Sequence, residues 1–221
     1  MKDIVIAIDG PAGAGKSTIA RMIATDMNFE YLDTGAMYRA LTWLALELGI
    51  DLKNTEKIIE MARSAKLEIK NGRVYINNRE VTREIRSRAV DRSVSLLARI
   101  RGVRKVMVKH QRRIASRGGY VVDGRDIGTR VLPDADLKIF LTASLQERAR
   151  RRYSERKRED ENITLAEVKE EIKKRDQLDK QRQESPLRKA EDAIVVDTTD
   201  KGKQEVVEVI LTLMKEVGRC G

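Results

Sequence analysis

The feature that most restricts this chain is a short apolar run, Ile4-Val5-Ile6-Ala7-Ile8, that ends on Asp9 and enters Gly10-Pro11-Ala12-Gly13-Ala14-Gly15-Lys16-Ser17. Apolar residues without alternation read as a strand buried on both faces, the pattern of a parallel sheet. The eight residues from Gly10 fit G-x-x-x-x-G-K-[ST] at every fixed position. Ile19, Ala20, Ile23 and Met27 then recur at helical spacing. The glycines let backbone N–H groups turn inward as an anion nest, and the helix N-terminus adds a favourable dipole. Such a loop holds the phosphates of ATP or GTP, with Lys16 on the β- and γ-phosphates and Ser17 on Mg²⁺. No N-K-x-D-like segment is present to read guanine, so adenine is the expected base.

The rest of the chain repeats the strand–helix alternation. Strands are predicted at 29–32, 120–122, 137–141 and 193–196, with helices at 37–48, 55–65, 144–158, 164–182 and 203–217. This is an α/β fold, a parallel sheet of about five strands flanked by helices. Within it, Leu67–Lys70 and Arg73–Ile76 alternate around Asn71-Gly72, a strong hairpin signal, with a third strand possible through Asn77-Asn78 and Glu80-Val81-Thr82. We therefore expect one domain over 1–221 with a small β subdomain inserted at 66–83. Two basic helices are predicted at 84–99 and 103–117, joined around Gly102.

Composition removes several function classes. The single His110 lies in a basic stretch, which argues against a Ser-His-Asp triad, and one cysteine, Cys220, cannot form an intramolecular disulfide. A Cys/His zinc site cannot be assembled. No run of about 18 apolar residues exists to span a membrane. Met1 runs almost directly into the first strand, with no room for a signal peptide, so a cytoplasmic location is expected. Net charge is +10, and 79–117 carries all of it: 13 Lys/Arg against Glu80, Glu84 and Asp91. That stripe fits nucleotides, nucleic acid or a solvated helix. With aromatics at 4%, stacking platforms for single strands are scarce, and nucleic acid is not the expected partner.

Three further segments carry chemistry. Asp33-Thr34-Gly35-Ala36-Met37-Tyr38-Arg39 follows the second strand; Thr34 can cap a helix and Arg39 can grip a second phosphate, or be an ordinary surface arginine. Asp123-Gly124-Arg125-Asp126 follows a buried strand, where Asp123 resembles a Walker-B carboxylate by position. Arg148, Arg150, Arg151 and Arg152 open a charged region that reads either as a mobile lid over 148–164 or as a solvated helical face. Arg175, Asp179 and Arg182 share one helical face, as an ion-pair ladder or a clamp.

Together, IDGPAGAGKST, LDTGAMYR, VVDGRDIGTRVLPDA with KIFLTAS, and EIKKRDQLDKQR resemble the bacterial cytidylate kinases over essentially the whole chain. The resemblance implies a phosphate-loop kinase that passes the γ-phosphoryl group of ATP to CMP or dCMP, with Mg²⁺. It implies ATP contacts along the loop from Gly10 to Ser17, chiefly Gly13, Gly15, Lys16 and Ser17, and at Thr18. It implies acceptor-phosphate contacts from Arg39 and Arg125. Around the cytosine it implies Thr34, Arg104, Asp126 and Arg182, and at the sugar Ser95, Arg175 and Asp179. Asp123 and Gly124 lie in the same acceptor motif. Arg148, Arg151 and Arg152 match the lid arginines and, with Lys16 and Arg125, the catalytic set. ATP and CMP or dCMP are then the expected partners of a monomer. A UMP, AMP or shikimate kinase on the same fold is the alternative.

Overall fold

The computed structural model describes residues 4–70, 72–157 and 162–217. The chain forms two compact units, Met1–Tyr31 with Arg117–Gly221, and Leu32–Ser116. No described helix is long and apolar enough to cross a membrane.

The first unit is built around β1 (Val5–Asp9), which pairs in parallel with β6 (Tyr120–Gly124) and β7 (Leu137–Thr142). With β2 (Glu30–Asp33), in which the boundary between the units falls, and β8 (Ile194–Asp197), the order is β2-β6-β1-β7-β8. Helix α1 (Lys16–Met27) packs Ile19, Ala20 and Ile23 onto the sheet. Val206, Val207, Ile210 and Met214 of α8 (Lys203–Val217) join the same core. Continuous apolar strands and helices with one apolar stripe leave few other solutions. Helices α6 (Leu145–Arg156) and α7 (Leu165–Lys180) pack through Ala149, Val168 and Ile172. The five-stranded parallel sheet agrees with the sequence expectation.

The second unit holds α2 (Thr34–Glu47), α3 (Thr55–Ser64), a three-stranded antiparallel sheet, α4 (Arg88–Leu97) and α5 (Arg101–Ala115). Strands β3 (Leu67–Lys70) and β4 (Arg73–Ile76) pair as the alternation predicts. Asn71 of the expected Asn-Gly turn lies outside the described residues, as do 158–161 of the expected lid and Cys220. The third strand is shorter than expected. Asn77 and Asn78 both take positive φ (49° and 67°) as a tight turn, and only Arg79–Glu80 (β5) pairs with β4.

Two sequence expectations need correction. The helix predicted from residue 84 opens as a 3₁₀ turn, Glu84–Arg86, and α4 begins only at Arg88. The joint before α5 falls at 98–100, not at Gly102, which sits in the first turn of α5. The glycine is there for close packing: a Cβ would lie 2.3 Å from Ile59 Cδ1 and 2.6 Å from its Cγ1. Overpacking costs about 1–3 kcal/mol, whereas Ala gains roughly 1 kcal/mol of helix propensity over Gly. Gly102→Ala should therefore lower stability by about 1 kcal/mol net. An unchanged or raised urea midpoint would refute the packing account.

Candidate active site

Backbone geometry builds the phosphate loop. Gly10 (φ 152°) passes so near β7 that a Cβ would lie 2.0 Å from the Leu141 carbonyl oxygen. At Gly13 (φ 76°) a Cβ would meet Arg148 Cβ and carbonyl oxygen at 3.0 Å each. Any side chain at these positions would force the loop open. Lys16 is buried, and its Nζ donates to Pro11 O at 2.8 Å, across the loop. Burial pushes its ammonium down from 10.5 to about 7. The charges of Arg125 and Arg175 act in the same direction, against Asp123 and Asp179.

Ser17 Oγ donates to Asp123 Oδ2 at 2.9 Å, and Tyr31 donates to Asp123 Oδ1 at 2.9 Å. The register Ile8↔Asp123 explains the meeting: both parallel strands end at the loop. Among the described residues no group of three or more Asp, Glu, His or Cys could hold a metal. One hydroxyl beside one carboxylate does fit a hard cation that keeps water and phosphate oxygens as its other ligands.

Behind the loop lies a bracket that composition alone would have assigned to the surface. Asp176 Oδ1 accepts the Ala12 N–H at 3.2 Å. Arg148 Nη1 donates to Asp176 Oδ2 at 2.6 Å and to Ala12 O at 2.9 Å, while its Nε donates to Ala143 O. Arg151 donates to Thr198 Oγ1 and O and pairs with Glu147; the Thr198 hydroxyl lies 3.4 Å from Ala14 O. Arg152 pairs with Glu155. Of the three expected lid arginines, Arg148 and Arg151 thus brace the loop.

In the same unit Asp179, 1% exposed, binds Arg125 Nε at 2.8 Å and also pairs with Arg182. Burial raises its pKa, but Arg125, Arg182 and Arg175 outweigh that and hold it below the usual carboxylate range. Arg182 lies past the end of α7, so the expected one-face ladder becomes a cluster tying that end to the strand-end segment 124–126. Asp126 is buried there.

In the second unit Asp33, not Thr34, caps α2, accepting the Ala36 N–H at 2.8 Å; Thr34 is the first helical residue and is buried. Asp caps as well as Thr, and its extended backbone suits the position. Arg39 pairs with Asp91 at 2.5 Å and donates to Ile85 O. Arg104 is buried over the Tyr38 ring at 5.5 Å and donates to Ala98 O. Ser95 is buried on α4, which, like α5, packs on α2.

Sequence reasoning missed Asp9, Tyr31, Asp176 and Thr198. Asp9 stands directly before the first loop glycine, the one signal that could have singled it out. The others act through partners 47 to 164 residues away, beyond any local pattern.

A family model described as cytidylate kinase matches residues 6–216. A cytidylate kinase of Alkaliphilus oremlandii is 49% identical over 217 residues, covering 98% of this chain and 100% of the relative. One from Caldanaerobacter subterraneus subsp. tengcongensis is 50% identical over 213 residues, covering 96% and 95%. A crystal structure of an uncharacterized protein from Eubacterium ventriosum superposes with a TM-score of 0.55 at 12% identity, covering 96% of this chain and 99% of its own; that likeness concerns the fold alone. With its phosphate loop intact and these matches running almost end to end, the chain belongs to the cytidylate kinase family of nucleotide-dependent nucleoside monophosphate kinases.

Proposed function

We propose that this protein transfers the γ-phosphoryl group of ATP to CMP or dCMP, as a cytoplasmic monomer. The observation that carries the reading is the arginine cluster around Asp179, where Arg125 and Arg182 bind one buried carboxylate in the unit that also holds the phosphate loop and Lys16, so one unit holds cations for two polyanions. The loop from Gly10 to Thr18 takes the ATP phosphates. Arg39 and Arg125 take the acceptor phosphate; Thr34, Arg104, Asp126 and Arg182 the base; Ser95, Arg175 and Asp179 the sugar. Asp123 and Gly124 belong to the acceptor motif. The hairpin region 66–83 is the small β subdomain; within the expected 148–164 lid, Arg148 and Arg151 stay on the loop they brace, and Arg152 is the arginine that closes on the phosphates to exclude water. Ser17, oriented by Asp123, would hold Mg²⁺ with ATP, and the ion would supply neutralisation of the phosphate charge.

No general base is needed. The attacking group is a phosphate oxygen whose second pKa is about 6, so it is largely ionised at neutral pH. Catalysis is then in-line positioning and neutralisation by Lys16, Arg125, Arg148, Arg151 and Arg152. In this reading Arg148 contributes by setting the loop backbone.

A carboxylate at Asp126 accepts from the cytosine amino group and repels the uracil carbonyl. With ATP and Mg²⁺, turnover is expected with CMP and dCMP and little with UMP, AMP or shikimate. Asp126→Ala should lower kcat/KM for CMP about 10- to 100-fold, the worth of one charged hydrogen bond, with ATP affinity unchanged. Equal loss for both substrates would sink the acceptor assignment. ADP formation without any of these acceptors would do the same.

A further inference from the structure

Asp9 is the last residue of β1, in register with Gly124 of β6 and Phe140 of β7. It is 5% exposed, and each carboxylate oxygen accepts one backbone N–H: Ile127 N to Oδ1 and Gly128 N to Oδ2, both at 2.8 Å. These are the first two N–H groups of a π-helical turn, Ile127–Val131. The first N–H groups of a helical turn have no partner within it. Here a strand 118 residues away satisfies them.

We infer that Asp9 is a positioning residue for the acceptor base, acting through the backbone that carries Asp126; this rests on the function proposed above. Asp126 stands one residue before the two clamped N–H groups, at φ −145° and ψ 28°, and its own carbonyl accepts from Arg130 and Val131. On its other side Arg125 is fixed to Asp179 and to Gly124 O. The direction in which Asp126 leaves the strand is thus set from two sides, by the arginine cluster and by Asp9. Gly128 also has a limit behind it, since a Cβ there would lie 3.2 Å from Lys138 Cδ.

Keeping a charge here is costly. Burial, with the Asp126 charge adding to it, lifts the Asp9 carboxyl to about 6, against the two N–H donors and Lys16. A Ser cap would avoid that cost but has a single acceptor oxygen, whereas the carboxylate sets a separate oxygen 2.8 Å from each of the two adjacent N–H groups. The two oxygens of one carboxylate match the two adjacent N–H groups one to one.

The test is Asp9→Asn, which keeps the size but places an amide NH₂ against one of the two N–H groups. KM for CMP should rise about tenfold. The ratio of kcat/KM for CMP over UMP should fall about tenfold, and KM for ATP should stay within twofold. A lowered melting temperature with the CMP/UMP ratio and KM for CMP unmoved would show Asp9 to be structural only and overturn the inference. The wild-type protein supplies a second reading that does not depend on the variant folding. Amide hydrogen exchange at Ile127 and Gly128 should slow several-fold with saturating CMP, and unchanged exchange overturns the proposal. No CMP turnover by the wild-type enzyme would overturn both this and the proposed function, whereas CMP turnover with an unmoved CMP/UMP ratio would overturn this one alone.

Discussion

Arg148→Met is expected to destabilise the protein by about 3–5 kcal/mol, the usual cost of removing one partner from a buried ion pair. Arg148 and Asp176 are 7% and 9% exposed, and the pair is 2.6 Å long. Without the guanidinium, Asp176 is left charged and buried, and the carbonyls of Ala12 and Ala143 each lose a donor. For a chain of this size the melting temperature should fall by roughly 10 °C or more. Asp176→Leu added to Arg148→Met should recover part of the loss, because removing both charges is often close to neutral. Recovery will be incomplete, since Ala12 N–H and C=O stay unpaired. A single variant that melts within about 2 °C of wild type would refute the bracket. The functional consequence follows from Ala12, whose two backbone groups the pair holds: KM for ATP should rise in both variants.

That bracket also shows where sequence reading reached its limit. The phosphate loop was legible because its conformation is local: glycines at positive φ, a buried strand before and an apolar helical stripe after. The same holds for β3 and β4, whose alternation fixes which face is buried. The five-stranded sheet followed from counting apolar runs, but its order did not, because β2-β6-β1-β7-β8 depends on which neighbours cover each strand. Gly102 looks like a helix breaker in the sequence, but it lies inside α5 and is glycine to admit Ile59, so the joint between α4 and α5 falls earlier, at 98–100. Thr34 can cap a helix by residue type, but Asp33 one residue earlier supplies the acceptor. Arg148 was legible as an arginine of interest. Its partner Asp176 was not, because nothing in EIKKRDQLDKQR marks which acid meets a loop 164 residues away. Motifs identify the atoms that face a ligand, whereas the side chains that hold those motifs in shape follow only from the fold.

Lys16→Met should lower kcat/KM by about 10³-fold, the effect of removing a donor aimed at charge that develops in the transition state. The more telling change concerns protons. Unliganded, Lys16 has a pKa near 7 against its ordinary 10.5, first because it is buried and then because Arg125 and Arg175 face it. Its folded value is below its unfolded one, so between pH 7 and 10.5 the unfolded chain binds more protons and stability from this group rises with pH. A bound polyphosphate reverses the balance by placing negative charge beside the ammonium, which returns the pKa upward. At pH 8 the wild-type protein should therefore take up close to one proton for each ATP bound, and affinity should weaken as pH rises above 7. At that pH the terminal phosphate is already ionised, since its pKa lies near 6, and contributes little. Calorimetric titrations in two buffers of different ionisation enthalpy measure this uptake directly. The proton should vanish in Lys16→Met while Arg148→Met keeps it, because only the first removes the titrating group. Zero net uptake by wild type at pH 8 would mean that Lys16 is already charged in the empty loop. The depressed pKa would then have to be abandoned, and the 10³-fold loss would come from its position alone.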